Sequence, residues 1–235
     1  MRFALPMIGA AVGLVLEVPL IAALLRGAYR RWVFVFIYVI VDFFTSLIEL
    51  PSAYEYWRGL RLTGTHYATL YWIDETVIQV LVYLVVISLI WGATAPLRSR
   101  RPLRTLLVVG AVALAGISLA VHYRPTTLGF WMAPWIRDLN FSSAILDLGV
   151  WALLIGMPRR DPELLLLSGG LGIQFAGIAI GESLQHLATR ARSRPLSLTG
   201  SMIVVIANLL RIYIWWRALR KPPGRPQIEE ATGRN

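Results

Sequence analysis

Cysteine is absent from this chain of 235 residues, and lysine occurs once, as Lys221. The first absence removes disulfides, thiol nucleophiles and cysteine-based metal sites, and leaves the redox compartment open. The second excludes a retinal Schiff base, because no lysine falls within an apolar stretch. Charge is also scarce, at 15% of residues, while 57% are hydrophobic. Mean hydropathy is +0.62. A soluble domain of this length needs far more polar surface, so composition selects a membrane protein. His-Glu-x-x-His, Gly-x-Ser-x-Gly and P-loop patterns are missing, and the sequence holds no catalytic motif. The three histidines, His66, His122 and His186, lack metal-ligand spacing. No cofactor and no metal site is expected.

What the chain does have is apolar runs. A spanning helix needs about 20 apolar residues, and seven stretches qualify: about 4–25, 32–51, 68–91, 103–122, 137–157, 163–186 and 197–217. The expectation is an all-α fold, a polytopic transmembrane bundle of seven helices over residues 1–220. A Pro- and charge-rich tail, 221–235, is expected to be disordered and cytoplasmic. The first apolar run is longer than a signal-peptide core and is followed, not preceded, by Arg26, Arg30 and Arg31. It is read as a retained helix.

Nine Trp and nine Tyr suit the two membrane interfaces. The net charge of +10 does not point to nucleic acid, because the bases cluster in short connections between spans. Fourteen of the 23 bases fall in the first, third and fifth connections and the tail, which gives an N-out/C-in orientation. The sixth connection, with Arg190, Arg192 and Arg194, runs against that rule. Location in a bacterial cytoplasmic (inner) membrane, multi-pass, follows. The second connection, about Ser52 to Tyr67, is the longest and is expected to form a short interfacial helix, since Tyr54, Tyr56 and Trp57 accompany Arg58 and Arg61.

An odd number of spans is compatible with a three-plus-one-plus-three (3+1+3) repeat, the fourth span acting as linker. Leu16-Glu17 before Arg30-Arg31 resembles Leu146-Asp147 before Arg159-Arg160, and Glu49 has a counterpart in Glu182.

Seven of thirteen acids lie inside spans: Glu17, Asp42, Glu49, Asp74, Glu75, Asp147 and Glu182. One base, Arg211, accompanies them. An ionisable group in hydrocarbon costs at least a few kcal/mol, about 2.5 to 3.5 for Asp on insertion scales, so such groups face the bundle interior. Residues three and four apart share a helix face. That spacing makes stripes of Tyr38, Asp42, Thr45 and Glu49; of Tyr71, Glu75 and Gln79 beside Asp74; and of Arg137, Asn140, Ser143 and Asp147. Others are Gln174, Glu182, Gln185 and His186, then Asn208 and Arg211. With Glu17 alone from the first, six spans turn a polar face inward, and the fourth is left in lipid.

The candidate ligand- or ion-binding residues are therefore Glu17, Asp42, Asp74, Glu75, Asp147, Glu182, Asn208 and Arg211. They form an acidic vestibule open to the outside, closed below by a Glu17–Arg211 or Asp147–Arg211 pair. Crowded carboxylates in a dry interior cannot all stay ionised, so protons, water or cations must compensate them. The plainer readings are structural. Glu49 and Arg137 suit interfaces, Asp138 a solvated or helix-N-terminal position, Asn208 and Gln174 interhelical bonding, and Gly177-x-x-x-Gly181 close packing.

Trp72 and Glu75 within Tyr71-Trp72-Ile73-Asp74-Glu75, with Arg30-Arg31 and Arg137, resemble a family of seven-helix integral membrane proteins of acidobacteria and related soil bacteria. The resemblance implies architecture and bacterial origin and carries over no catalytic residue. Function is expected to be binding or sensing of a small cationic or polar ligand. No output domain follows the seventh span, so a signalling partner protein or a homo-oligomer would relay the signal. The alternative is a small proton-coupled solute transporter of 3+1+3 architecture.

Overall fold

The computed structural model describes residues 4–57, 64–95, 100–124, 128–157 and 161–220; side chains are described at 8–48, 72–95, 101–102, 104–124, 131–157 and 161–220. The tail 221–235, Arg58, Arg61, Arg98, Arg159 and Arg160 lie outside the described residues, as do the side chains of Glu49, His66 and Tyr71.

Seven helices follow in order: α1 (Ala4–Leu25), α2 (Val33–Trp57), α3 (Gly64–Ala93), α4 (Arg100–His122), α5 (Leu128–Gly156), α6 (Pro162–Ala191) and α7 (Arg194–Leu219). Helices are what such sequence must form in hydrocarbon, since each N–H and C=O finds its partner within the segment. Six of them, all but α2, are long and apolar enough to cross a membrane. Helix α2 has 25 residues, with Val33–Ile48 as its apolar part. The chain is an all-α membrane bundle.

Local signals set the turns. After α1, Gly27 takes φ 124°, a conformation open to glycine, and starts a single 3₁₀ turn at Ala28–Arg30. Asp161 caps α6 by accepting from the Glu163 and Leu164 amides at 3.1 and 3.3 Å, with Pro162 at the first helical position. Arg192, at φ 49°, ends α6 and turns the chain directly into α7.

Three boundaries differ from those expected. Residues 52–57 continue α2 and 64–67 open α3, so the second connection is mostly helix. Helix α5 starts at Leu128 and runs through Pro134, which places Arg137 inside it, exposed. The sixth connection shrinks to Arg192 and Ser193. Hydropathy measures the reach of hydrocarbon, and a helix continues past that limit where nothing breaks it.

Packing closes a ring in the order α1–α2–α3–α5–α6–α7, with α7 returning to α1, while α4 rests outside against α3 and α5. Only 6% of the α4 span is buried, against 44% of the α3 span, so α4 faces lipid as its lack of a polar stripe requires. Helices α1–α3 thus occupy one half of the ring and α5–α7 the other. Glycines set the closest approaches. The Gly181 α-carbon leaves room for a methyl only 2.7 Å from the Gly200 carbonyl oxygen, and Gly170 gives its space to the Trp215 ring.

The main apolar core is lopsided. Leu20 and Leu24 end α1, and Val35 and Val39 begin α2. Val86 and Leu89 end α3, Leu154 ends α5, Leu164 and Leu167 begin α6, and Ile212 and Leu219 end α7. Consecutive spans run in opposite directions, so all of these lie at one end of the ring. That end carries the arginine-rich first, third and fifth connections. Tyr83, Ala111 and Leu139 form a small second cluster between α3, α4 and α5, fastened by the Tyr83 hydroxyl donating to the Ala111 carbonyl at 2.7 Å.

Candidate functional site

Arg211 and Asp42 form the centre of the polar interior. The Arg211 Nη2 donates to Asp42 Oδ2 at 2.8 Å, joining α7 to α2. One turn from each, on the same faces, stand Trp215 and Tyr38, whose rings meet edge-on at 5.7 Å. The guanidinium carbon lies 4.8 Å from the Tyr38 ring centre and 5.3 Å from that of Trp215. Trp215 is anchored in turn, its indole N–H donating to the Leu167 carbonyl at 2.9 Å. Two aromatic walls and one carboxylate therefore hold the buried cation.

Glu17 reaches the same level from α1. Gly9 and Gly13, two turns and one turn before it on the same face, bring α1 close to Val205 and Leu209 of α7. The third position on that stripe is Glu17, 3% exposed. Its carboxyl feels the charges of Asp42 and Arg211. Yet Glu17 Oε2 has no partner, and neither do Arg211 Nε and Nη1. The Arg211 side chain is 2% exposed and that of Asp42 18%, so Asp42 is the member of the group that solvent touches.

Above this floor the acids of three helices converge. Asp42 of α2 feels Asp74 of α3, and Glu75 feels Asp74, Asp42 and Glu182 of α6. Exposure is graded: Glu182 is exposed, Asp74 and Glu75 are half-buried, and the Asp42–Arg211 pair lies deepest. Asn208 is half-buried one turn before Arg211 on α7.

The floor expected from sequence is corrected. Arg211 does not pair with Asp147; it takes Asp42, and Glu17 stays beside the pair without a direct ion-pair contact. Asp147 belongs to a separate buried place between α5 and α6, where it accepts from the Ser168 hydroxyl at 2.8 Å. Gly172 leaves room there, since a methyl on it would meet Asp147 Oδ2 at 3.5 Å. The reason is lateral: α5 and α7 do not pack on each other, as α6 stands between them. Ser143, one turn before Asp147, is fully buried with a free hydroxyl oxygen.

Other stripes resolve into plainer roles. Thr45 spends its hydroxyl on the Asp42 carbonyl, 3.1 Å away in its own helix. Asp138 is solvated, its side chain 39% exposed, but it is not helix-terminal: it accepts from Ser118 at 2.7 Å and lies 3.6 Å from His122, tying α5 to α4. Gln185 donates to Ser201 at 3.5 Å, and His186 is exposed. Gln79 is buried with a free Nε2, and Gln174 Oε1 is likewise unpartnered. Trp215 and Ser168 were not anticipated; the four-residue step from Arg211 to Trp215 was the available signal for the first. Among the described residues, no three His, Asp or Glu side chains are grouped to hold a metal.

Fold and site together define a multi-pass α-helical membrane protein with a buried, acid-rich interior. The chain matches no known family model, no curated protein and no solved structure.

Proposed function

We propose that this protein, in a bacterial cytoplasmic membrane with its N-terminus outside, binds a small cationic or polar ligand in an acidic vestibule entered from the outer face. One observation carries the reading. Among the described residues, Asp42, Asp74, Glu75 and Glu182 of three helices feel one another's charge, and Arg211 pairs with Asp42 beneath them, at the end of the ring away from the apolar core. Carboxylates gathered inside a membrane are costly, and a cation, a proton or a donor-rich ligand lowers that cost. As a sensor, the bundle would relay occupancy to a partner protein or a second copy of itself.

A second reading is proton-coupled solute transport. It draws on the two halves, α1–α3 and α5–α7, which bury Glu17 and Asp147 at corresponding places in their first helices. Titration of the purified protein in lipid nanodiscs with methylammonium, choline and Na⁺, followed by tryptophan fluorescence and calorimetry, tests the first reading. Saturable binding that is lost in Glu75→Gln supports it, and binding unaffected by that change overturns it. Uptake into liposomes driven by a proton gradient and abolished by Asp147→Asn and Glu17→Gln would replace the sensor by the transporter.

A further inference from the structure

We infer that Glu17 is a second seat for the Arg211 guanidinium: a monovalent cation arriving through the vestibule takes the Asp42 carboxylate, and Arg211 shifts to Glu17. This rests on the vestibule reading and assigns its three deepest residues distinct roles.

The unpartnered atoms carry the argument. Arg211 uses one nitrogen on Asp42 and leaves Nε and Nη1 unbonded, while the adjacent Glu17 leaves Oε2 unbonded. All three atoms are buried, and they are complementary, two donors and an acceptor. Such leftovers are rare, because a buried polar group without a partner loses its hydration for nothing. An arrangement in which Arg211 faces Glu17 uses them. The move is short, since Glu17 stands beside both members of the pair and feels the charge of each.

Asp42 and Glu17 are not equivalent to an incoming cation. The Asp42 side chain is 18% exposed and feels Asp74 and Glu75, whereas Glu17 is 3% exposed and closed in between α1 and α7. A cation from the vestibule therefore meets Asp42 first and competes there with Arg211. Without Glu17 that competition would strand a bare guanidinium between Tyr38 and Trp215. With Glu17 the displaced charge has a carboxylate waiting, and a singly charged ligand leaves the count at Asp42 unchanged. Because Trp215 links Arg211 to the α6 backbone through Leu167, the shift would be felt on α6 as well.

The test measures methylammonium and methylguanidinium binding to the full chain in nanodiscs. Glu17→Gln is expected to raise Kd at least tenfold, because Arg211 can no longer leave Asp42. Adding Arg211→Met to that variant is expected to restore or exceed the original affinity, since nothing then competes for Asp42. A Glu17→Gln Kd within twofold of the unsubstituted chain overturns the inference and leaves the vestibule reading intact. Failure of the unsubstituted chain to bind either probe overturns both. If Glu17→Gln does not yield folded protein, Glu17→Asp decides, because it keeps the charge but draws the second seat back by one methylene. A Kd raised more than twofold supports the second seat, and one within twofold of the unsubstituted chain overturns it.

Discussion

Asp147 of α5 accepts a hydrogen bond from Ser168 of α6 at 2.8 Å, both side chains being buried. Ser168→Ala deletes the donor and leaves the carboxyl with less compensation. The loss should be about 1–2 kcal/mol, typical of an interhelical bond plus a stranded acceptor. Asp147→Asn keeps an acceptor for Ser168 and is expected to cost less than Ser168→Ala. Thermal unfolding of both variants in one detergent checks the order; the reverse order would show that the charge itself matters at this place.

Helices α6 and α7 meet where Gly181 faces Gly200. A methyl at Gly181 would sit 2.7 Å from the Gly200 carbonyl, against backbone that cannot step aside. Gly181→Ala should therefore destabilise the bundle, by the 1–3 kcal/mol usual for overpacking. Gly110 in α4 is the contrast, because a methyl there meets nothing within 4 Å. Gly110→Ala should stabilise by about 0.5–1 kcal/mol through helix propensity alone. Opposite shifts in melting temperature are expected, and equal shifts would refute the packing assigned to α6 and α7.

Seven helices were legible because each must supply about 20 apolar residues, and α4 could be set apart because it alone lacks a polar stripe. The convergence of Asp42 and Arg211 was not legible. A residue count along straight helices puts Arg211 deeper than Asp42, yet the two pair at 2.8 Å, so such a count does not fix depth in the bundle. Partner choice also depends on ring order, which hydropathy does not encode; once α6 separates α5 from α7, Asp147 cannot meet Arg211. The polar and aromatic run 52–57 was legible as helix but not as part of α2, because composition reports the membrane boundary and the helix continues beyond it.

At the core end, Arg31 forks between Asp161 at 2.6 Å and Glu163 at 2.8 Å, joining the start of α2 to the start of α6. Its side chain is 51% exposed, so each ion pair is worth at most about 1 kcal/mol and weakens with salt. Asp161 also caps α6, a role worth about 1 kcal/mol on its own. Asp161→Ala should consequently cost more than Glu163→Ala, and the difference should persist at 1 M salt. Denaturation at low and high ionic strength separates the two contributions.

Removing one member of a buried ion pair usually costs about 3–5 kcal/mol, because the other charge is left bare. Asp42→Asn should cost less than that here, since Glu17 stands within reach of the abandoned Arg211. Glu17→Gln should be mild as well, because Asp42 already holds the guanidinium. The double change removes both seats and leaves Arg211 facing only Tyr38 and Trp215. Its cost should exceed the sum of the single losses by about 1–3 kcal/mol, the range for residues sharing one network. Adding Arg211→Met to the double change should return most of that excess, as no buried charge then remains. Chemical denaturation of the four variants closes the cycle. Simple additivity would mean that Glu17 and Asp42 do not serve the same cation.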